Sequence, residues 1–299
     1  MSNAASIRAQ WQIHFCVLLW GFTAILGKLI SLPALALVIW RMLLVSAVLA
    51  LVPRVWRGMR RLPRRTLAIY AGIGVIVALH WLTFYGAIKL ANASVAATCI
   101  ALAPVFLALV EPLITAKRFE PRELALGIAV VPGVALVVGG VPSGMHLGVA
   151  IGALSALLVA IFGSLNKRYI EHADPLTVTA LELGAGTLFL IAVGLAIPAL
   201  GEPLPLPSAR DAGLLVVLAL ACTLLPFALS LVALRQLSAY SAQLAINLEP
   251  VYAILLAIPL LGEQRELSPQ FYLGVAIVLL AVIVHPWTKR RAPVVVSGN

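Results

Sequence analysis

Residues 87–114 read AIKLANASVAATCIALAPVFLALVEPLI, and residues 233–261 repeat the pattern as ALRQLSAYSAQLAINLEPVYAILLAIPLL. Identical residues recur at a spacing of 146, so that Pro104 in the first copy corresponds to Pro250 in the second. One extra residue then enters the second copy, and further identities continue at a spacing of 147. Because prolines and glycines stay in phase, apolar composition alone does not explain the match. We interpret the stretch as an internal duplication.

The composition indicates a lipid environment. Of the 299 residues, 62% are hydrophobic and 11% are charged, and the mean hydropathy is +1.07. Soluble proteins carry about 25% charged residues, whereas a helix that crosses a bilayer needs about 20 consecutive apolar residues. The sequence therefore predicts an all-α membrane protein with ten transmembrane helices. The predicted spans are residues 11–31, 34–53, 65–89, 93–116, 122–140, 146–166, 176–199, 211–234, 239–262 and 269–287.

The duplication divides these spans into two halves. We predict one five-helix repeat in residues 1–143, a second in residues 144–288, and a tail in residues 289–299. Because five is odd, the second copy enters the membrane from the opposite side. Inverted repeats are typical of carriers that work by alternating access, with the binding site at the interface of the repeats. The alternative is a duplication that serves stability alone.

The basic residues indicate the orientation of the chain. Four of the 21 Lys and Arg residues fall on one predicted side of the membrane and Arg41 lies inside a span, while all the others share the side of the N-terminus. The positive-inside rule then places both termini in the cytoplasm. The net charge of +10 is therefore interpreted as a topology signal, and no nucleic-acid partner is expected. The four residues on the other side are Lys28, Lys89, Arg210 and Arg265.

Three charged residues fall deep inside predicted spans: Arg41, Glu182 and Glu249. A charge at the centre of a membrane helix costs about 2.5–3.5 kcal/mol on insertion scales, so these side chains should face the protein interior or a wet cavity. The two carboxylates could carry a proton or a cationic group of the substrate. Alternatively, Arg41 pairs with one of them as a structural tie between helices.

The ninth span carries a polar face. Tyr240, Gln243 and Asn247 follow helical spacing, and Pro250 interrupts the helix one turn later. Glu249 lies about 200° around the helix from Asn247, which favours a structural role for it. In the fourth span Pro104 makes the equivalent break, with Thr98 nearby. Two broken helices at equivalent depth favour a binding site, although the prolines could also simply bend the helices.

Aromatic residues add a further candidate surface. His80, Trp81 and Tyr85 lie at helical spacing in the third span, and Trp20 and Thr23 share one face of the first span. Aromatic rings can hold aromatic or cationic ligands by stacking and cation–π contacts, but such stripes more often serve packing. His80 is either a proton relay or a hydrogen-bonded residue of the core.

The motifs of common enzymes do not occur in this sequence: HExxH, GxSxG, a Walker loop and a dinucleotide-binding fingerprint are missing. The three cysteines lie inside apolar runs without metal-ligand spacing. We therefore expect no enzymatic activity, no metal and no cofactor, and transport that is secondary or facilitated. The alternatives are a membrane scaffold or enzyme whose duplication is structural, and a channel.

Several motifs resemble those of the EamA-type drug/metabolite transporters. They are Trp20-Gly21, Trp40-Arg41, LAPVF at residues 102–106 and LEPVYAILLAIPLLGE at residues 248–263. The resemblance covers nearly the whole chain. It implies ten helices around a central cavity lined by spans one, three, four, six, eight and nine. Because the first copy has Ala103 where the second has Glu249, no paired-carboxylate mechanism is implied.

Within this family the sequence is most similar to exporters of aromatic amino acids and related metabolites in the bacterial inner membrane. The expected partners are therefore a small-molecule substrate, the lipid bilayer and, if transport is coupled, a proton. Family members move very different solutes, so exporters of cationic drugs or of threonine-like amino acids stay open as alternatives.

Overall fold

The structure is a computed structural model that describes residues 3–116, 118–237, 242, 245–246 and 248–288. Every regular element in this part of the chain is helical. The α-helices are α1 (Asn3–Leu29), α2 (Ala34–Ala50), α3 (Pro53–Arg61), α4 (Arg64–Leu90), α5 (Ala93–Ile100), α6 (Ala103–Thr115), α7 (Pro121–Gly139), α8 (His146–Tyr169), α9 (Pro175–Ala196), α10 (Ala209–Ala219), α11 (Leu225–Leu234), α12 (Glu249–Leu261) and α13 (Pro269–Thr288).

These helices confirm the predicted fold class. Within the described residues, the predicted spans coincide with one helix or with a short series of helices, such as α5 with α6, and the ninth span is represented by α12. A π-helical turn at Leu220–Leu224 likewise joins α10 to α11 within a single span. Within the described residues, six segments are long and apolar enough to cross a membrane. They are Ile7–Leu29, Arg64–Leu90, Ala93–Thr115, Ser143–His172, Pro175–Ala196 and Ala209–Leu234.

The end of the second span differs from the prediction. It was expected to reach residue 53, but α2 ends at Ala50 and the chain turns by 90° into α3. Pro53 begins this short helix, where a missing N–H costs nothing. Val55 is buried, whereas Trp56 and Arg57 are exposed. The alternation of apolar and basic residues gives α3 one buried side, which explains why it folds as a helix beside the bundle.

The connections meet in two separate groups, as alternating spans require. On one face, Arg54 Nη2 forms an ion pair with Asp174 Oδ1 at 2.6 Å, and Arg168 donates to the carbonyl oxygen of Ile114. We call this the arginine-rich face, because the arginines of α3 lie there. On the opposite face, the hydroxyl of Ser31 donates to Asp211, and the indole N–H of Trp40 donates to the carbonyl of Pro205.

The backbone preserves the duplication in detail. Helices α6 and α12 both have 13 residues, and their first and last residues are offset by 146. Leu102, before α6, has φ −77° and ψ −15°, and Leu248, before α12, has φ −79° and ψ −12°. Both helices also end on a left-handed residue, Ala116 with φ 56° and Gly262 with φ 69°. The length difference between the copies therefore lies in the connections that follow these helices.

The packing of the helices follows the same symmetry. Helix α8 packs against α4 and α6, and its counterpart α1 packs against α11 and α12. Lys89 at the end of α4 donates to the carbonyl of Ile30, beyond α1. Its counterpart Arg235, beyond α11, donates to the carbonyl of Ala173, beyond α8. The two contacts lie on opposite faces, which is the arrangement that inverted repeats produce.

Helices α4 and α9 cross at a pair of glycines. A Cβ atom on Gly74 would collide with the backbone of Glu182, and one on Gly186 would lie 2.7 Å from the carbonyl oxygen of Gly74. Backbone atoms cannot rotate out of the way as side chains can. The close approach of these two helices therefore depends on Gly74 and Gly186.

We expect Gly74→Ala to lower the free energy of unfolding by about 1–3 kcal/mol, because the added methyl group overpacks this crossing. Gly72→Ala is the matched control in the same helix, since nothing lies within 4 Å of its added Cβ, and it should change stability by less than about 0.5 kcal/mol. Thermal unfolding of the purified variants in detergent measures both. Equal stability of the two variants would contradict the close packing.

Candidate functional site

A cavity of about 100 Å³ lies between the two repeats. A single water molecule needs about 10–15 Å³ of such a volume, so the cavity holds several waters or a small solute. Asn166 and Leu234, which line it, are within about one turn of the arginine-rich face, because α8 and α11 end there. The cavity therefore extends from the middle of the bundle towards that face. Its lining includes residues of α1, α2, α4, α5, α6, α8, α11 and α12.

The two helix breaks face this cavity. Helix α5 ends at Ile100, and α6 follows with Pro104 in its first turn. Pro250 occupies the same place in α12. Because proline has no N–H, the carbonyls of Ile100 and Ile246 lose their helical donors. Both isoleucines line the cavity, so the two breaks lie at its edge.

Arg41 is a fully buried cation in the cavity wall, with an exposed fraction of 1%. Its Nε donates to Thr223 Oγ1 at 2.5 Å, and its Nη1 donates to the Tyr85 hydroxyl at 2.8 Å. Its Nη2 lies 3.5 Å from the carbonyl oxygen of Cys222. The guanidinium also stacks on Trp81, 3.9 Å from the ring centroid. All these partners are neutral.

Glu249, at the start of α12, is buried and lines the same cavity. The sequence expectation that Glu249 faces away from the polar side of its helix refers to Tyr240, Gln243 and Asn247, which lie outside the described residues, so it stays a prediction. The formal charge of Glu249 is opposite to that of Arg41, but among the described residues no carboxylate oxygen lies within 4 Å of the guanidinium. The direct Arg41–Glu tie considered from the sequence is therefore not formed here.

Glu182 lies behind the cavity wall. It is fully buried, and the amide of Asn166 donates to its Oε2 at 3.4 Å. Among the residues that the structure describes, neither its Oε1 nor Asn166 Oδ1 has a hydrogen-bond partner. Since Asn166 lines the cavity, this amide separates Glu182 from the cavity.

Aromatic rings form a large part of the remaining wall. Trp81 packs edge-on against Phe227, with ring centroids 6.0 Å apart, and His80 contacts Phe162 at 5.4 Å. His80 Nδ1 also lies 2.8 Å from the Ser155 hydroxyl and 3.0 Å from the Ser155 carbonyl. This anchoring corresponds to the hydrogen-bonded core histidine of the sequence-based alternatives.

The structure brings four of the predicted site residues to the cavity and places two behind it. Trp20, Thr23, His80 and Trp81 line the cavity. Tyr85 lies outside the lining and supports Arg41. Thr98 also lies outside it and donates to the carbonyl of Ser94. Tyr240, Gln243 and Asn247 lie outside the described residues, so their place in the site stays a prediction.

The opposite face is closed by a carboxylate that the sequence analysis did not single out as a functional residue. Glu263 follows α12 and accepts three hydrogen bonds at the start of α5: from the backbone N–H groups of Ala93 and Ser94 and from the Ser94 hydroxyl, at 2.6–2.9 Å. Negative charge is favoured at a helix N-terminus. The sequence signal that could have identified Glu263 is its position at the end of the motif LEPVYAILLAIPLLGE, directly after Gly262.

Comparison with known proteins gives a consistent picture. The model of the EamA-like transporter family matches residues 10–139 and again residues 146–285. A crystal structure of another protein has a similar fold, with a TM-score of 0.67 and 18% sequence identity over 95% of this chain and 99% of its own. No curated protein matches the sequence.

We expect Glu263→Ala to lower the free energy of unfolding by about 2 kcal/mol, because buried N–H donors at the start of α5 lose a charged acceptor. Glu266→Ala is the matched control: Glu266 is exposed and accepts one bond, from the amide of Asn92 at 3.1 Å. It should cost less than about 0.5 kcal/mol. Thermal unfolding in detergent compares the two, and a smaller loss for Glu263→Ala than for Glu266→Ala would disprove the closure that we describe.

Proposed function

Because the chain belongs to the EamA-like transporter family, we propose that it is a secondary or facilitative exporter of small metabolites, with aromatic amino acids as the leading substrates. The family consists of membrane transporters of small solutes. The finer assignment, including a closer likeness to the aromatic amino-acid exporter YddG, is our inference from the sequence. We also propose that the membrane is the bacterial inner membrane, with both termini in the cytoplasm.

The observation that carries the proposal is the composition of the cavity wall. Trp20, Trp81, Phe84, Phe162 and Phe227 surround a space for a small solute at the interface of the two repeats. Aromatic pairs gain about 0.5–1.5 kcal/mol beyond the burial of their area. An aromatic solute would therefore find stacking partners in this wall.

The position of the cavity fits the direction that we propose. With the arginine-rich face in the cytoplasm, as we propose, the cavity would face inward and receive solute from the cell. The opposite face is closed by Glu263 on the start of α5. Alternating access then requires the two repeats to exchange conformations, so that this closure opens and the arginine-rich face closes.

A single experiment distinguishes the proposed function from its alternatives. The purified protein is reconstituted into liposomes that are loaded with an excess of unlabelled tryptophan, phenylalanine or threonine. Uptake of the labelled amino acid is then followed with and without a pH gradient. Saturable uptake stimulated by exchange supports a carrier, and an effect of the gradient supports proton coupling. Uptake without saturation indicates a channel. Folded protein that takes up none of the three would disprove the amino-acid assignment and direct the search to cationic drugs or to a scaffold.

We expect Trp81→Ala to lower the exchange rate of tryptophan about tenfold or more, because the solute loses a stacking partner and Arg41 loses the ring beneath it. Phe22→Ala is the control in α1: Phe22 is 38% exposed on the outside of the bundle and should leave the rate unchanged. Flux is normalised to the amount of reconstituted protein. Equal rates for Trp81→Ala and wild type would remove Trp81 from the site.

A further inference from the structure

Hydrogen bonds hold the buried guanidinium of Arg41 but do not use all of its N–H groups. A guanidinium has five N–H donors in a rigid fork. The structure uses one donor each on Nε, Nη1 and Nη2, with Thr223, Tyr85 and the carbonyl of Cys222 as partners. Two N–H groups are not claimed by these bonds. Trp81 covers one flat side of the group, so a further partner approaches along its edge.

The groups that contact Arg41 are neutral, so they leave its positive charge uncompensated beside the cavity. The hydroxyls of Thr223 and Tyr85 and one carbonyl fix its geometry without cancelling its charge. Within the described part of the chain, no carboxylate lies within 4 Å of Arg41. A cation in a low-dielectric wall is expensive unless it is paired and hydrogen-bonded. An anionic group of a solute would supply the missing partner.

The opposite charge lies in the same cavity on a different repeat. Glu249 begins α12, whereas Arg41 lies in α2, and both line the cavity together with Trp81. The two groups have opposite formal charges and, within the described residues, form no ion pair. The gap between them is therefore bounded by a cation on one side, a carboxylate on the other and aromatic rings around it.

From this arrangement we propose a bipolar binding site for the zwitterionic end of an α-amino acid. The solute carboxylate binds the free edge of Arg41, its ammonium group binds Glu249, and its side chain lies among the aromatic rings of Trp81, Phe227 and Phe162. This inference rests on the proposed export of amino acids and names the two groups that select them. Such a site would discriminate against solutes that carry only one charge.

Three compounds with the same indole ring test the site: tryptophan, tryptamine, which lacks the carboxylate, and indole-3-propionate, which lacks the ammonium group. Each competes against exchange of labelled tryptophan in liposomes. A hydrogen-bonded charge contributes enough to change affinity about ten- to hundredfold. We expect both analogues to inhibit the wild-type protein that much more weakly than tryptophan does.

Two substitutions then separate the two ends of the solute. In Arg41→Gln, tryptophan should lose its advantage over tryptamine, while inhibition by tryptamine stays as in wild type. In Glu249→Gln, tryptophan should lose its advantage over indole-3-propionate, while that analogue keeps its wild-type potency. Arg41→Lys keeps the charge without the fork and should lie between wild type and Arg41→Gln. If a variant does not exchange tryptophan, ligand-induced shifts of its melting temperature replace the flux assay.

The outcomes distinguish the site from the function on which it rests. Saturable tryptophan exchange with equal potency of all three compounds would overturn the bipolar site and leave the exporter intact. Equal weakening of all three compounds in both variants would also overturn the bipolar site, because it would show that the two charges stabilise the protein and do not recognise the solute. Wild-type protein without saturable exchange would overturn the proposed function, and the bipolar site with it. Should Arg41→Gln fail to fold, the analogue series on wild type and Arg41→Lys still decides the question.

Discussion

A backbone carbonyl without a partner is costly in hydrocarbon, and this constraint bears on the two places where a span of this protein is interrupted by proline between two helical segments. Pro104 and Pro250 each remove a helical donor, and the two residues that carry the affected carbonyls line the central cavity. The breaks are tolerated because water or a solute can reach them there. Since they occupy equivalent places in inverted repeats, the duplication itself places two of them around one space.

The two faces of the bundle differ in their chemistry, although the repeats share a fold. Glu263 caps the start of α5 on the opposite face. In the first repeat its counterpart is Ala116 or Lys117, depending on the register, and neither side chain can accept hydrogen bonds from N–H groups. The same interaction therefore cannot close the arginine-rich face from this position. Under the alternating access that we propose, this asymmetry would favour the conformation in which Glu263 binds the start of α5.

The sequence contained the fold but only part of the site. The repeat, the ten spans and both proline breaks follow from residues in phase, and Arg41 and Glu249 stand out because charges are rare in spans. The bend into α3 was not predicted, because basic residues that follow a span are typical of a loop. Helical spacing could not separate Trp81, which lines the cavity, from Tyr85, which lies behind it. That distinction depends on how α4 rotates against α1 and α8, and tertiary packing sets this rotation.

The pairing of charges also bears on the energy of the transport cycle. Moving one net elementary charge across a membrane potential of 100 mV costs about 2.3 kcal/mol. Arg41 and a carboxylate at Glu249 together give the cavity no net charge, and a zwitterionic amino acid adds none. The empty and the loaded cavity would therefore change access with the same net charge, so the membrane potential would oppose neither step. A solute with a single charge would lack this balance, and one of the two wall charges would stay buried without its partner.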